Sequence, residues 1–450
     1  MSKNTENHVE KITEKKGLNI SAKSFITAIA VIFVLMALTY GMTFVIPGGG
    51  IPFWKWILSP VLVLGAEDNV SLIAVLVFLL VIGGVFNCLD KCGLMKYMLD
   101  KITYRFGKER YKLLALVALF FMAMGSFIGS FEECVPLVPI VVALAIRLGW
   151  DALVGMGMSL LAIGCGFAAG VCNPFTVGVA QELAGLPMFS GMWFRMVCFV
   201  LVYALLVGFL FRYAKRIEKP LDVSMAEDSF VVDQRMDRGL ICFAVIMVCG
   251  IAVVLSSVFV TALQDYTMII VAVTFLAAGI SSSLVSGMGK RLGGVFWNGL
   301  VSVLPAVLMI LMANSIKYTL VEGNILDTIL QAAISTAETL PRWAVILFIY
   351  LIVLIMNFFI ASGSAKAFLL MPLIVPVAEV FGISAQLCVV AYAFGDGFSN
   401  VFYPTNPVLL ISLGLADVDY GKWVKWSLPF QVMNLVLTSG ILMLGLVIHY

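Results

Sequence analysis

Histidine is almost absent from this sequence, and its absence limits the chemistry open to the chain. His8 and His449 are the only two histidines, and both lie at the ends of the 450 residues. Catalysis or metal binding by histidine within the long apolar part of the chain is therefore excluded. No glycine-rich phosphate-binding loop occurs in the sequence either, so no motif points to a nucleotide-dependent enzyme.

Charged residues and informative cysteine spacings are also scarce. Only 12% of the residues are charged, whereas a soluble domain has about a quarter. There are nine cysteines, but no pair has the spacing of a zinc site or a redox motif. We predict that they are small apolar packing residues. The net charge of +2 gives no reason to expect a nucleic-acid partner.

The chain has long apolar runs instead. Hydrophobic residues make up 62% of it, and the mean hydropathy is +1.07. Runs such as 25–46 and 70–89 are long enough to cross the hydrocarbon core of a bilayer. The first run follows a polar, lysine-bearing segment and is too long for the apolar region of a signal peptide. The sequence therefore predicts an all-α polytopic membrane protein with a retained first helix.

We predict about nine transmembrane helices and two re-entrant hairpins. Residues 112–148 and 343–382 each have a polar middle between two apolar arms, which is the pattern of a hairpin. The tryptophan-bearing stretch 51–66 is too short for a span and is placed at the outer interface. Two spans, 152–186 and 385–416, are interrupted by Asn-Pro elements. The other predicted spans are 24–46, 70–88, 191–212, 238–258, 266–285, 294–313 and 427–448.

The placement of lysine and arginine favours a hairpin over two full spans for each of these stretches. Cytoplasmic loops carry an excess of basic residues. With two hairpins, most of the 28 basic residues fall on one side of the membrane, and Lys55, Lys317 and Arg342 are left outside. With two full spans, the basic loops would be split between both sides. The sequence thus predicts a bacterial cytoplasmic-membrane protein with its N-terminus inside and its C-terminus outside.

The chain also contains an internal repeat. At an offset of 233 positions, Pro139 aligns with Pro372, Asn173 with Asn406, and Pro174 with Pro407. An amphipathic segment precedes each hairpin, and it is basic in the first copy (91–110) and acidic in the second (322–339). Two inverted repeats with broken helices are typical of secondary transporters, whose sites lie near the midplane. The predicted divisions are an N-terminal segment, 1–23, a first repeat, 24–213, a linker with an extra span, 214–258, and a second repeat, 259–450.

Four non-helical stretches are expected to meet at the midplane: 125–133, 172–176, 361–366 and 403–407. Their exposed backbone groups suit ions and carboxylates. Asn173 and Asn406 can ligate Na⁺ or hold a substrate, although each would also serve as a simple helix cap. Candidate substrate-binding residues are Ser130, Glu132, Glu133, Asn173, Pro174, Phe175, Thr176, Ser362, Gly363, Ser364, Lys366, Asn400, Thr405 and Asn406. Candidate ion-binding residues are Gly129, Asn173, Asp396 and Asn406.

Charges within a membrane bundle are costly and point to function. Glu132 and Glu133 lie at the first hairpin tip, Lys366 lies at the second, and Asp396 lies between two glycines. A buried pair between Lys366 and one carboxylate is the alternative, and it would leave other carboxylates for a substrate cation, Na⁺ or a proton. Three further charged residues are expected nearer the surface in structural roles: Glu182, Glu379 and Arg195.

Four segments carry a family resemblance: GSFEECVPLVP, CNPFTVGVAQELAGLPMFSGMWFR, ASGSAKAFLLMP and FGDGFSNVFYPTNPVLLISLG with the YGKW that follows it. Together they resemble the YfcC-like transporters, a group also labelled C4-dicarboxylate anaerobic carriers or basic amino-acid (arginine/ornithine-type) antiporters. Membership of the wider ion-transporter superfamily implies a homodimer that works by an elevator motion. Sodium symporters of that superfamily carry Ser-Asn-Thr motifs at their hairpin tips, whereas this chain has Glu132-Glu133 at the first tip. That departure favours a ligand with an amino group.

The sequence-based hypothesis is therefore a non-enzymatic secondary transporter of amino acids, basic ones among them, or of related small carboxylates. It would work by ion coupling, as a symporter, or by exchange, as an antiporter. A C4-dicarboxylate carrier of the same fold is the alternative, and a membrane enzyme or sensor is a more distant one. No cofactor is expected, and the coupling ion is left open between Na⁺ and H⁺. The symmetric Asn-bearing breaks favour Na⁺, and the buried carboxylates favour protons.

Overall fold

The computed structural model of the protein is helical wherever it is described. It describes residues 22–46, 50–66, 69–106, 109–129, 131, 135, 137–187, 189–219, 232–256, 267–323, 325, 328, 335–336 and 339–450. Within those ranges every regular element is a helix, which confirms the all-α prediction. Five of the described helices are long and apolar enough to cross a membrane, or six if one bent pair counts as a span. The larger predicted number of spans and the two hairpins stay predictions.

The chain divides into two compact units. The first consists of residues 1–25, 70–108 and 221–308, and the second of residues 26–69, 109–220 and 309–450. This partition differs from the predicted division into repeats, which stays a prediction. The helices mostly within the first unit are α3 (Asn69–Lys91), α4 (Leu94–Phe106), α10 (Gln234–Ser256), α11 (Thr267–Val285) and α12 (Leu292–Ser302).

In the first unit, α3 and α4 meet at a sharp bend. The two helices are inclined by 72°, and Gly93 lies at the bend in the left-handed conformation, with φ of 82°. The ammonium of Lys101 and the hydroxyl of Tyr97 each lie 2.6 Å from Oδ1 of Asp237 at the start of α10. The hydrogen bonds from Lys101 and Tyr97 hold the pKa of the Asp237 carboxyl below its usual value. These polar contacts join α4 to α10.

The second unit contains the segments on which the predicted site depends. Its helices are α1 (Ala22–Val45), α2 (Phe53–Leu62), α5 (Arg110–Ala123), α6 (Val138–Arg147), α7 (Ala152–Ala168), α8 (Val179–Leu183), α9 (Met192–Ile217), most of α13 (Leu304–Glu322), α14 (Arg342–Phe359), α15 (Gly363–Val380), α16 (Ala385–Asn400), α17 (Pro407–Ala416) and α18 (Tyr420–Val447). Single π turns extend α5 through Met124–Ile128 and precede α8 at Pro174–Gly178. Such turns occur often at functional sites.

Two predicted spans have different limits in the structure. The span predicted at 294–313 is divided at Val303 between α12 and α13. Pro305 explains the division, because it lacks the backbone donor that a continuous helix would need at this point. The last helix begins at Tyr420 rather than at the predicted 427. Hydropathy did not predict this start, because Lys422 and Lys425 lower the mean hydropathy of the beginning of the helix. The same stretch also carries the buried Trp423.

Close backbone packing brings α7 against α16 in the second unit. A methyl group at Gly397 would lie 2.2 Å from the backbone nitrogen of Ala168, so only glycine permits this contact. Ala168 is the last residue of α7, and Asp396 precedes Gly397 on α16. The end of the first broken helix is therefore held beside the charged turn of α16.

Candidate functional site

The first broken helix is interrupted at residues 169–173, between the end of α7 and the π turn at Pro174. Asn173 is buried, and its Oδ1 accepts a hydrogen bond of 3.2 Å from the backbone nitrogen of Thr176. This is the geometry of a helix N-cap. The amide nitrogen of Asn173 lies 3.5 Å from the carbonyl oxygen of Gly125. Asn173 thus stabilises the restart of the helix, while its role in ligand binding stays a prediction.

Two side chains from other helices hold the backbone of the first break. The hydroxyl of Ser126 donates to the carbonyl oxygen of Ala169 at 2.8 Å and accepts from the nitrogen of Val171 at 3.0 Å. The Nε of Arg195 donates to the carbonyl oxygen of Val171 at 3.1 Å. Buried backbone groups need such partners. Ser126 and Arg195 therefore replace the hydrogen bonds that the missing helical turn would have made.

The prediction that Arg195 lies toward the surface is wrong. Its side chain is only 2% exposed, whereas Glu182 and Glu379 are exposed as expected. Arg195 occupies the first turn of α9, where a long basic side chain would ordinarily reach for water. It turns inward because the carbonyl of Val171 in the break offers an acceptor. The predicted structural role stands, but in the core.

The second broken helix is interrupted at residues 401–406, between α16 and α17. The Oδ1 of Asn406 caps α17 by accepting from the nitrogen of Val408 at 2.9 Å. Its amide nitrogen donates to the Oδ1 of Asn400 at 3.0 Å. The indole nitrogen of Trp423 donates to the carbonyl oxygen of Val401 at 2.8 Å. In both broken helices, a capping asparagine therefore precedes the second helical half. The capping asparagine of the second broken helix, Asn406, also donates a hydrogen bond to Asn400.

The tip of the second predicted hairpin is the short connection between α14 and α15. Ile360 follows α14, and Ser362 caps α15, with its hydroxyl accepting from the nitrogen of Ala365. Ser362 is exposed, and Ser364 is partly buried. Lys366 lies in the first turn of α15, where a positive charge is unfavourable for the helix dipole. Its side chain reaches back toward the end of α14 instead.

Lys366 and Asp396 form a fully buried ion pair. The Nζ of Lys366 lies 2.6 Å from Oδ1 of Asp396, and both side chains are 0% exposed. Nζ also donates to Oδ1 of Asn357 and, at 3.3 Å, to the carbonyl oxygen of Ile360. Among the alternatives left open by the sequence, the structure pairs Lys366 with Asp396. The ammonium is consequently engaged by three oxygens.

Asn357 connects this ion pair to the second break. Its amide nitrogen lies 2.6 Å from Oγ of Ser399, 2.9 Å from Oδ1 of Asn400 and 3.0 Å from the carbonyl oxygen of Asp396. All three are acceptors, so the amide is oriented with its own oxygen toward Lys366. A chain of polar contacts therefore runs from Asn406 through Asn400 and Asn357 to Lys366.

Two polar atoms beside the ion pair are buried and make no hydrogen bond in the described part of the chain. They are Oδ2 of Asp396 and Oγ1 of Thr176. A methyl group at Gly363 would lie 2.5 Å from Cγ2 of Thr176 and 2.7 Å from Oδ2 of Asp396. The hairpin tip, the first restarted helix and α16 therefore meet at Gly363. Leaving a buried polar group unpaired costs about 1–3 kcal/mol.

The structure brings together only some of the predicted residues. Thr176, Gly363, Lys366 and Asp396 lie together, and Asn400 and Asn406 are joined to them by hydrogen bonds. Thr405 is buried in the second break, and its hydroxyl has no partner among the described residues. Gly129 ends the first predicted arm in the left-handed conformation, with φ of 78°. Lying outside the described residues are Ser130, Glu132 and Glu133, together with the side chains of Pro174 and Phe175.

Sequence reasoning missed Asn357 and Tyr392. Asn357 is the amide in the otherwise apolar run LIVLIMNFF, and an amide within an apolar membrane helix is itself a signal. The hydroxyl of Tyr392 donates to the carbonyl oxygen of Gly363 and so fixes the hairpin tip to α16. No local pattern distinguishes Tyr392 from a core aromatic residue.

Residues 57–447 match the family model described as DcuC, C4-dicarboxylate anaerobic carrier. The chain belongs to this family. It is therefore a membrane transporter of a small molecule, and it is a carrier rather than an enzyme. The family agrees with the resemblance drawn from the four sequence segments.

Curated relatives and solved structures are similar over most of the chain. A protein of Escherichia coli K12 named "Putative basic amino acid antiporter YfcC" is 30% identical over 82% of this chain and 76% of its own length. An uncharacterised protein of Haemophilus influenzae is 25% identical over 84% of this chain and 76% of its own. The Alcanivorax borkumensis YdaH transporter is 18% identical, with a TM-score of 0.49, over 94% of this chain and 99% of its own. Neisseria gonorrhoeae MtrF, titled as one of a class of antimetabolite efflux pumps, is 14% identical, with a TM-score of 0.45, over 92% and 94%.

Proposed function

We propose that this carrier transports amino acids, with basic amino acids as its preferred substrates, by ion coupling or exchange. The unpaired Oδ2 of Asp396, which faces Gly363, carries the proposal, together with the unpaired hydroxyl of Thr176, whose methyl group faces the same glycine. A carboxylate oxygen and a hydroxyl are both acceptors, and a protonated amino group supplies the donors that they lack. A substrate ammonium at this position would donate a hydrogen bond to the free oxygen of Asp396. Because Lys366 already neutralises Asp396, the charge of the ammonium would be balanced by the carboxylate of the same zwitterion, which a sodium ion lacks.

The substrate carboxylate would be held by helix ends rather than by Lys366. Lys366 is already neutralised by Asp396, so its charge is not free for a second carboxylate. The N-terminus of α15 begins at Gly363 and that of α17 at Pro407. Helix N-termini attract anions through their backbone donors and dipole. This division, with the amino group on Asp396 and the carboxylate on helix ends, favours a zwitterion over a dianion.

The names of the relatives support two substrate classes. The relative from Escherichia coli is named as a basic amino-acid antiporter, which agrees with the proposal, whereas the family description names C4-dicarboxylates. A dicarboxylate carrier is therefore the second candidate. In the first candidate, Glu132 and Glu133 would receive the side-chain cation of a basic amino acid. In the second, the neutral pair of Lys366 and Asp396 has no net charge to balance two anionic groups, and a dianion supplies no donor to the free oxygen of Asp396.

We also propose the finer architecture predicted from the sequence. About nine spans and two re-entrant hairpins would form two inverted repeats in the bacterial cytoplasmic membrane, with the N-terminus inside. The helix breaks at 169–173 and 401–406, each of which ends in a capping asparagine and is followed by a proline, support the repeat. Midplane breaks of this kind serve substrates and ions in secondary transporters. A homodimer with an elevator motion is the mode of transport that the resemblance implies.

Substrate binding to the purified protein tests the proposal. Labelled arginine should bind saturably, and unlabelled lysine or ornithine should compete while succinate and fumarate should not. Thr176→Val should weaken binding about 10-fold, because it removes one hydrogen bond worth roughly 1.4 kcal/mol, yet it should leave folding intact. Ser412→Ala is the matched control, since its hydroxyl is also buried and unpaired but lies on α17. Binding of succinate but not of arginine would replace the proposal with the dicarboxylate alternative.

A further inference from the structure

We propose that the ammonium of Lys366 is a tethered cation that fills an oxygen-lined cation site, so that this site takes no sodium ion. The ammonium contacts Oδ1 of Asp396 at 2.6 Å, Oδ1 of Asn357 and the carbonyl oxygen of Ile360 at 3.3 Å. Backbone carbonyls at half-helix ends coordinate Na⁺ in transporters with broken helices, and carboxylate and side-chain amide oxygens are ligands of hard cations. Lys366 occupies the position where such an ion would lie.

The surrounding contacts orient these oxygens toward a cation. The three acceptors around the amide nitrogen of Asn357 fix its Oδ1 on the side of Lys366. Asn357 and Ile360 lie at the C-terminal end of α14, which is the negative end of the helix dipole. Lys366 enters this position from the N-terminal turn of the next helix, where its charge is disfavoured. The Asn357 oxygen is therefore directed at this position by contacts that do not involve Lys366.

The charges leave no place for a second cation at these oxygens. Asp396 supplies one negative charge and Lys366 one positive charge, and both side chains are fully buried. Na⁺ added to the pair would be an uncompensated charge in a low-dielectric interior, which is strongly unfavourable. Sodium and the Lys366 ammonium are thus mutually exclusive. Removing the lysine side chain should convert the site into one that binds sodium.

The consequence for transport rests on the proposed function: if Lys366 fills this site, substrate transport does not require Na⁺ to bind there. The occupancy of the site is tested without any substrate. A protein that does not bind arginine would disprove the proposed substrate and leave the tethered cation intact. Sodium binding by the wild type at these oxygens would disprove the tethered cation and leave the proposed substrate intact.

The thermal stability of the purified full-length protein in NaCl and in choline chloride of equal ionic strength tests the inference. The wild type should melt at the same temperature in both salts. Lys366→Ala should melt lower than the wild type in choline chloride and recover in a saturable way with NaCl, and it should bind one ²²Na⁺ per chain. Adding Asp396→Asn to Lys366→Ala should abolish that sodium response. Lys55→Ala is the matched control, because its lysine is also paired at 2.6 Å, to Glu322, but is 35% exposed.

Two results would overturn the inference. One is stabilisation of the wild type by Na⁺ but not by choline that is lost in Asn357→Leu, because the oxygens would then bind sodium with Lys366 present. The other is a folded Lys366→Ala that melts at the same temperature in both salts. If Lys366→Ala yields no folded protein in either salt, the wild-type comparison decides alone, with equal melting temperatures supporting the inference.

Discussion

The two helix breaks have the same local design but different surroundings. In each, an asparagine caps the helix that follows: Asn173 accepts from Thr176, and Asn406 accepts from Val408. The backbone of the first break is held by Ser126 and Arg195 from other helices. The second is continuous with a chain of amides that ends at a buried ion pair.

This difference indicates that the two breaks have different roles, although the internal repeat in the sequence would predict the same role for both. The first break is a braced turn that presents Thr176 to the hairpin tip. The second is connected to the charge of the site, because Asn406, Asn400 and Asn357 lead to Lys366. We therefore expect disruption near the second break to affect both the stability and the charge state of the site, and disruption at the first to act mainly through stability.

The largest effect is expected from separating the buried ion pair. Lys366→Met or Asp396→Leu alone should destabilise the protein by about 3–5 kcal/mol, because each leaves a buried charge unpaired. The double variant Lys366→Met/Asp396→Leu should recover most of that loss, although it should not bind substrate. Thermal unfolding in sodium-free detergent solution measures all three. Losses that simply add in the double variant would mean that the two charges do not stabilise one another.

A smaller effect is expected at the first break. Ser126→Ala should cost about 1–3 kcal/mol, because it removes a donor to Ala169 and an acceptor for Val171 in a buried region. Arg195→Met should cost a similar amount by orphaning the carbonyl of Val171. The same thermal measurement applies, with Ser412→Ala as a neutral control. If Ser126→Ala unfolds like the wild type, the first break is not braced in the way described.

The capping asparagines should have similar and smaller effects. Asn173→Ala and Asn406→Ala each remove a helix cap, which costs about 1 kcal/mol, and serine at either position should restore part of it. Melting temperatures of the four variants test whether the two caps are equivalent. A loss at one position several times that at the other would contradict the shared local role.

The smallest effect is expected at the exposed pair of Lys55 and Glu322. The atoms are as close as in the buried pair, at 2.6 Å, but the side chains are 35% and 34% exposed. Exposed pairs contribute about 0–1 kcal/mol, so Lys55→Met should barely change the melting temperature, and added salt should erase what remains. A cost comparable to that of Lys366→Met would show that burial is not what distinguishes the two pairs.

The sequence was sufficient to predict helices and broken segments, and it singled out Lys366 and Asp396, which the structure pairs; their part in a transport site stays a prediction. Apolar run length indicates membrane helices, and a proline after an asparagine marks a break. The sequence was insufficient to choose a partner for Lys366, because that choice depends on which faces of α15 and α16 pack together, and Lys366 and Asp396 lie 30 residues apart along the chain. Asn357 was missed because the hydrogen-bond acceptors of its amide nitrogen are not near it in the sequence. They lie on α16 and are brought to Asn357 by the packing of α14 against α16.

Arg195 illustrates a different limit. Its position in the first turn of a span predicted an interfacial side chain, and that prediction was wrong because the acceptor at Val171 lies 24 residues earlier in the chain. The hydropathy of a sequence does not predict where a broken helix leaves a backbone carbonyl without a helical hydrogen bond. The same limit applies to Thr176, because neither its unpaired hydroxyl nor its contact with Gly363 can be predicted from the local sequence.

Exchange in proteoliposomes tests the central claim most directly. Vesicles loaded with unlabelled arginine should accumulate labelled arginine, vesicles loaded with succinate should not, and Asp396→Asn should abolish the accumulation while Glu322→Gln leaves it intact. Each variant is to be checked for monodisperse, folded protein before reconstitution. Accumulation driven by internal succinate, or full arginine exchange by folded Asp396→Asn, would contradict an amino-acid site built on Asp396.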